Sequence, residues 1–138
     1  MSLEVLQDAV RTASAWLDDL TQRLDWHDQD RVYSALLSTL HALRDSLPRE
    51  DAIYLGAYLP PLLRGFYYEG WHPAGRHPLK SRSAFLDRIQ DGVHRDPGID
   101  PEQVARAIFA MLAAHLPPAE LEGAKAAMPK ALHNLWPS

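Results

Sequence analysis

Slid against itself by 69 residues, this sequence aligns without a gap. Ser14 falls on Ser83, Ala15 on Ala84, Leu17 on Leu86 and Asp18 on Asp87. Further along, Leu43 meets Leu112, Leu47 meets Leu116, Pro48 meets Pro117, Ala57 meets Ala126, Pro60 meets Pro129 and Leu63 meets Leu132. Trp16/Phe85, Leu20/Ile89, Phe66/Leu135 and Tyr67/Trp136 are conservative matches. The matched prolines punctuate helices and the matched leucines lie on buried faces, so the pattern predicts an internal repeat, 14–67 and 83–136, joined by a linker over 71–83. A unit this short is near the lower limit for an independent core. The two copies are therefore expected to pack face to face as a single domain over 1–138.

The period within each copy is helical. Leu3, Leu6, Val10, Ala13, Leu17, Leu20 and Leu24 recur in steps of three and four, which predicts one buried face. Asp28 and Asp30 are N-cap candidates for a second helix through Val32, Leu36, Leu40, Leu43 and Leu47. Pro48, with Glu50 and Asp51 behind it, reads as the start of a short third helix ending near Tyr58. Pro60 and Pro61 open a fourth, which Gly70 stops. After the linker, Phe85, Leu86, Ile89 and Val93 resume the period. Asp100-Pro101 starts the next helix, and Val104, Ile108, Met111 and Leu112 form its face. Alternation of the kind strands require is sustained nowhere. The expected fold is all-α: two tandem copies of a small unit of about four helices each, packed into one bundle-like domain.

Composition excludes several function classes. With 46% hydrophobic residues in 138 and a net charge of −4, the chain can bury a core and is not disordered. No apolar run approaches the roughly 20 residues of a membrane span, and no export-signal pattern occurs at the N-terminus, so a cytoplasmic location is expected. The absence of cysteine removes disulfides, thiolate metal sites, iron–sulfur clusters and cysteine nucleophiles. No nucleophile elbow, phosphate loop or dinucleotide glycine pattern is present.

One segment carries a resemblance: Leu59-Pro60-Pro61-Leu62-Leu63-Arg64-Gly65-Phe66-Tyr67-Tyr68-Glu69-Gly70-Trp71, together with Leu47-Pro48 and the terminal Leu135-Trp136-Pro137. It resembles the signature of a bacterial family of uncharacterised proteins, a domain-of-unknown-function group. In that group Leu-Pro is followed after two residues by Leu-Arg, then aromatic or apolar residues, an acid and Gly-Trp. Met128-Pro129 departs from the usual Leu-Pro of the second copy, a change that conserves volume. The resemblance implies an all-helical fold and carries no activity with it.

Arg64, Tyr67, Tyr68, Glu69 and Trp71, with the bases Arg76, Lys80 and Arg82, make the expected binding surface, since aromatics beside arginine suit a protein partner or a flat ligand. The same residues admit a structural reading. Phe66 and Tyr67 would continue a buried face, Gly70 would supply the helix C-cap, and Trp71 would plug the junction between copies. Residues 1–30 carry seven acids against two bases, whereas 60–86 carry four bases against Glu69. The basic linker is accordingly expected to dock on the acidic first helix, in the same chain or a second copy. Four bases make a small patch, and nucleic acid is not the expected partner. No cofactor or metal is expected. His27 (beside Asp25, Asp28 and Asp30) and His94 (near Asp96 and Asp100) come nearest to a metal site, but both loops precede helices, where aspartate ordinarily caps. His41 and His115 lie on or beside apolar faces and read as satisfied core or interface residues. The leading expectation is a non-enzymatic interaction module, with self-association or another protein as partner. The alternative is a small-molecule or metal-dependent activity in a groove between the copies, using His27, His72, His77 or His94.

Overall fold

A computed structural model describes residues 2–74 and 78–137; Arg76 and His77 lie outside the described residues. Among those described, the chain forms seven α-helices and a terminal 3₁₀ helix, with no strand. The helices are α1 (Leu3–Leu24), α2 (Gln29–Arg44), α3 (Arg49–Ala57), α4 (Pro61–Tyr68), α5 (Arg82–Gly92), α6 (Pro101–His115) and α7 (Pro118–Ala127); the 3₁₀ helix spans Lys130–Leu135.

Local chemistry sets most boundaries. The side chain of Asp28 accepts from the Asp30 and Arg31 amides, Ser81 from Ala84 and Asp100 from Glu102, each satisfying donors that a helix start leaves open. Pro61, Pro101 and Pro118 occupy the first helical turn, where their missing N–H costs nothing. Pro48 sits one place earlier than expected, as the cap of α3. Arg49 and Pro118, which open α3 and α7, are 69 residues apart, as are Pro61 and Lys130, which open α4 and the 3₁₀ helix. Asp25 and His94, at the same spacing, both take left-handed backbone (φ 56° and 60°) at the ends of α1 and α5.

One cluster of buried side chains runs through both halves, including Leu20, Leu36, Leu40, Leu63, Phe85, Ile89, Ile108, Phe109 and Leu132. α2 packs closely on α5. A Cβ on Gly92 would lie 1.9 Å from Ser38 Oγ and 2.5 Å from Ser38 Cβ, so only glycine lets these backbones meet. α1 packs against α6, α4 and α2.

The expected face of α1 is only half buried. Ala13, Trp16, Leu20 and Leu24 go into the core. Leu3, Leu6 and Val10, on the same stripe, are 68%, 50% and 54% exposed. The reason is the length of the neighbouring helix. His115, the last residue of α6, stacks on Trp16 with ring centroids 4.6 Å apart, and its Nε2 lies 2.9 Å from Asp19 Oδ2. Past that level α6 offers no further side chains, while α1 continues toward its N-terminus.

Candidate functional site

The segment expected to bind a partner is largely committed to its own chain. Arg64 Nε donates to the Gly56 carbonyl at 3.0 Å, and its Nη2 to the carbonyls of Leu59 (2.9 Å) and Ala57 (3.2 Å). It thereby caps the end of α3, whose last carbonyls have no partner within the helix. Tyr67, which the sequence admits either to a binding surface or to a buried face, takes the buried place and has no exposed area. Its hydroxyl donates to the Ala52 carbonyl at 2.7 Å, and burial pushes its pKa well above the ordinary tyrosine value. Tyr68 donates to the Ile53 carbonyl (3.1 Å), covers Gly56, and stacks on the half-buried Trp71 with centroids 5.6 Å apart. Gly70 makes the turn with φ 69°. Glu69 and Lys80 are exposed.

Within the chain, the described part of the linker is tied to the end of α2, which is not the same-chain docking on α1 that was one of the two expected modes. The Leu79 amide donates to the Asp45 carbonyl at the end of α2 (2.9 Å). Arg82 pairs with Glu102 on α6 and donates to Asn134 Oδ1 at 2.6 Å.

A buried charge cluster organises this junction. Arg44 donates from Nε to Asp45 Oδ1 (2.9 Å) and from Nη1 to the carbonyls of Tyr67 (2.8 Å) and Glu69 (2.9 Å), while Arg88 Nη2 donates to Asp45 Oδ2 (2.8 Å). Sequence reading missed it, though a signal existed: Arg44 follows Leu36 and Leu40 at steps of four, on the apolar face of α2. A buried charge needs its partners with it, and here one arginine serves both a neighbouring carboxylate and the open carbonyls at the end of α4. His41 lies alongside, its Nε2 donating to the Phe66 carbonyl at 2.7 Å. Burial lowers its pKa, and the charges of Arg44 and Arg88 push the same way against that bond and Glu69.

The metal-site candidates stay apart from any ligand set. Asp28 and Asp100 cap helices, Asp96 pairs with Arg31 at 3.1 Å, and His27 and His94 are exposed. No group of three or more His, Asp or Glu side chains arranged to hold a metal occurs among the described residues. Core side chains of both halves meet between them, and a cleft of about 220 Å³ lined by Asp30, Arg31, His94 and Asp96 stays open at the edge of that seam. A cleft beside Trp71, walled by Arg44, Asp45, Leu47 and Pro48, encloses about 100 Å³, below the roughly 300 Å³ at which small-molecule sites begin, whereas a wider, shallow groove of about 540 Å³ lies between Arg23 of α1 and Glu102, Arg106 and Ala110 of α6.

Large apolar side chains are exposed at Tyr33, Ile53, Tyr54, Tyr58 and Leu62, and four more, Leu3, Val5, Leu6 and Val10, crowd onto the first half of α1 alone. Around the helix, Val5, Ala9, Leu6, Val10 and Leu3 occupy one continuous apolar arc, while Gln7, Arg11, Glu4, Asp8 and Thr12 share the other side. Arg11 pairs with Asp8 along the polar side. The arc continues the stripe that becomes core at Ala13, and from Leu3 to Leu6 every residue is exposed.

Residues 13–135 match the sequence profile of a family described as "Uncharacterized conserved protein (DUF2267)". The match begins at Ala13, where α1 enters the core, and leaves out the projecting turns. No curated protein matches the chain.

Proposed function

The chain belongs to the DUF2267 family of uncharacterized conserved proteins, and from that premise we propose that it is a non-enzymatic helical interaction module whose docking element is the projecting half of α1. The observation that carries this reading is the exposure of Leu3, Leu6 and Val10 on the stripe whose later members are core. Contiguous exposed apolar surface is uncommon on a soluble protein unless something covers it. Burying a leucine or valine contributes about 1.5–3 kcal/mol each. The polar side of the same turns sets Glu4 and Asp8 against Arg11, without the excess of lysine and arginine that favours a lipid surface or nucleic acid. An apolar helical face fits it best. In this reading 14–67 and 83–136 are two copies within a single domain, supported by the element starts that fall 69 residues apart.

The test places a benzophenone amino acid at Leu6, and in a separate protein at Asp8, in producing cells. Adducts from position 6 that are absent from position 8 support the reading. Equal labelling from both positions, or none from either, overturns it.

A further inference from the structure

We propose that the occupant of the projecting half of α1 is a second copy of this chain, its α1 running antiparallel; this rests on the reading above. The first reason is steric. From Ala13 onward the apolar stripe is covered by the chain's own α6, α4 and α2. A parallel partner helix on the same stripe would run into that cover within about three turns. An antiparallel helix leaves the two bundles at opposite ends and meets only the uncovered turns.

The second reason is the spacing. Leu3, Leu6, Val10 and Ala13 are symmetric about residue 8, so an antiparallel copy sets Leu6 against Val10 of the second copy and Val10 against Leu6. Leu3 then reaches the rim of the second bundle, where Ala13 goes under. A surface that maps onto itself in this way is what a two-fold contact requires. The third reason is charge. Helices that choose a different partner mark the positions flanking the seam with charges. Here those positions are Gln7 and Ala9, while Glu4, Asp8 and Arg11 lie on the far side. At the seam itself no charged side chain opposes a second copy or selects another protein.

Length also favours a copy. The uncovered ledge, residues 3–12, is about 15 Å long, and a free helix of that size is marginal in water. A second α1 arrives already folded, anchored in its own core. Because so few side chains meet, the contact falls below the roughly 800 Å² per partner of a stable interface, so it belongs to the weak, concentration-dependent class.

The absence of cysteine makes the test clean. Purified L6C and V10C proteins, mixed in equal amounts and oxidised, should give the 6-to-10 cross-link well beyond the twofold excess over 6-to-6 and over 10-to-10 that random pairing produces. Sedimentation of the unmodified chain should show the average mass rising toward that of a dimer between about 10 µM and 1 mM, the range of a weak interface. Leu6→Glu should abolish the rise with the far-UV circular dichroism unchanged. A chain that stays monomeric across that range, or cross-links in the random ratio or dominated by 6-to-6, overturns the proposal. If Leu6 adducts in cells then join another protein, the interaction reading survives and the second copy alone is wrong; if no position-specific adduct forms, both fall.

Discussion

Arg44 reaches across 23 residues of sequence to donate a 2.8 Å hydrogen bond to the carbonyl of Tyr67, tying the end of α2 to the end of α4. Both partners are inaccessible, and Asp45 accepts from the same guanidinium. Replacing Arg44 by Met keeps the volume but strips Asp45 of its forked partner and leaves the Tyr67 and Glu69 carbonyls without that donor. The expected loss is about 3–5 kcal/mol, the usual cost of breaking a buried ion pair from one side. Arg44→Lys should also destabilise clearly, since an ammonium cannot reproduce the fork. Urea denaturation midpoints check both.

His41 makes stability depend on pH. Its folded pKa lies below the ordinary 6.5, chiefly through burial and then through Arg44 and Arg88. Above pH 6.5 it is neutral in both states and contributes no slope. As pH falls below 6.5 the unfolded chain takes up a proton that the folded chain resists, so stability declines until the folded pKa is reached. His41→Gln keeps a donor for the Phe66 carbonyl and removes the titration. The stability difference between variant and parent should therefore shift in the variant's favour between pH 6.5 and 5, as read by thermal melts. A constant difference across that range would contradict this assignment.

Gly92→Ala should destabilise although alanine is the better helix former. The new methyl would meet the backbone-anchored Cβ of Ser38 at 2.5 Å, and α2 would have to move off α5. The expected cost is about 1–3 kcal/mol, typical of overpacking. Gly65, inside α4, has nothing within 4 Å of its would-be Cβ. Gly65→Ala should instead stabilise by about 0.5–1 kcal/mol through helix propensity. Opposite signs in parallel melts are the expected result.

His94→Gly should stabilise the fold. His94 holds φ 60° while its amide donates to the Asp91 carbonyl and the next amide, of Arg95, to Gln90, the bonding of a helix end that glycine usually terminates. A side chain there costs on the order of 1 kcal/mol, which glycine would return in part. Calorimetry of the variant measures it.

The two halves of α1 should respond differently to truncation. Leu20→Ala removes a fully buried side chain and should cost about 2–5 kcal/mol. Leu6→Ala, at a half-exposed position with no core neighbours, should leave the stability of the isolated chain within about 0.5 kcal/mol. Equal effects would mean that the projecting turns are held by the chain itself.

Much of the helical framework is legible residue by residue, because its causes are local. Asp28 and Asp100 cap the helices that follow them, Pro61 and Pro101 open theirs, and Gly70 turns the chain with a positive φ. Steps of three and four place Leu20, Leu36, Leu40 and Ile108 on buried faces. These features depend on a residue and its neighbours within a turn or two, and sequence by itself determined them. Two things lay beyond its reach. Periodicity says which side of α1 is apolar, but whether Leu6 is covered depends on where α6 stops, at His115 beside Trp16. Likewise Arg64, Tyr67 and Arg44 carry groups equally suited to a partner's surface or to their own backbone. Only the tertiary structure, by bringing the end of α3 to Arg64 and the end of α4 to Arg44, decided that these donors are satisfied within the chain and that Leu3, Leu6 and Val10 are left facing outward.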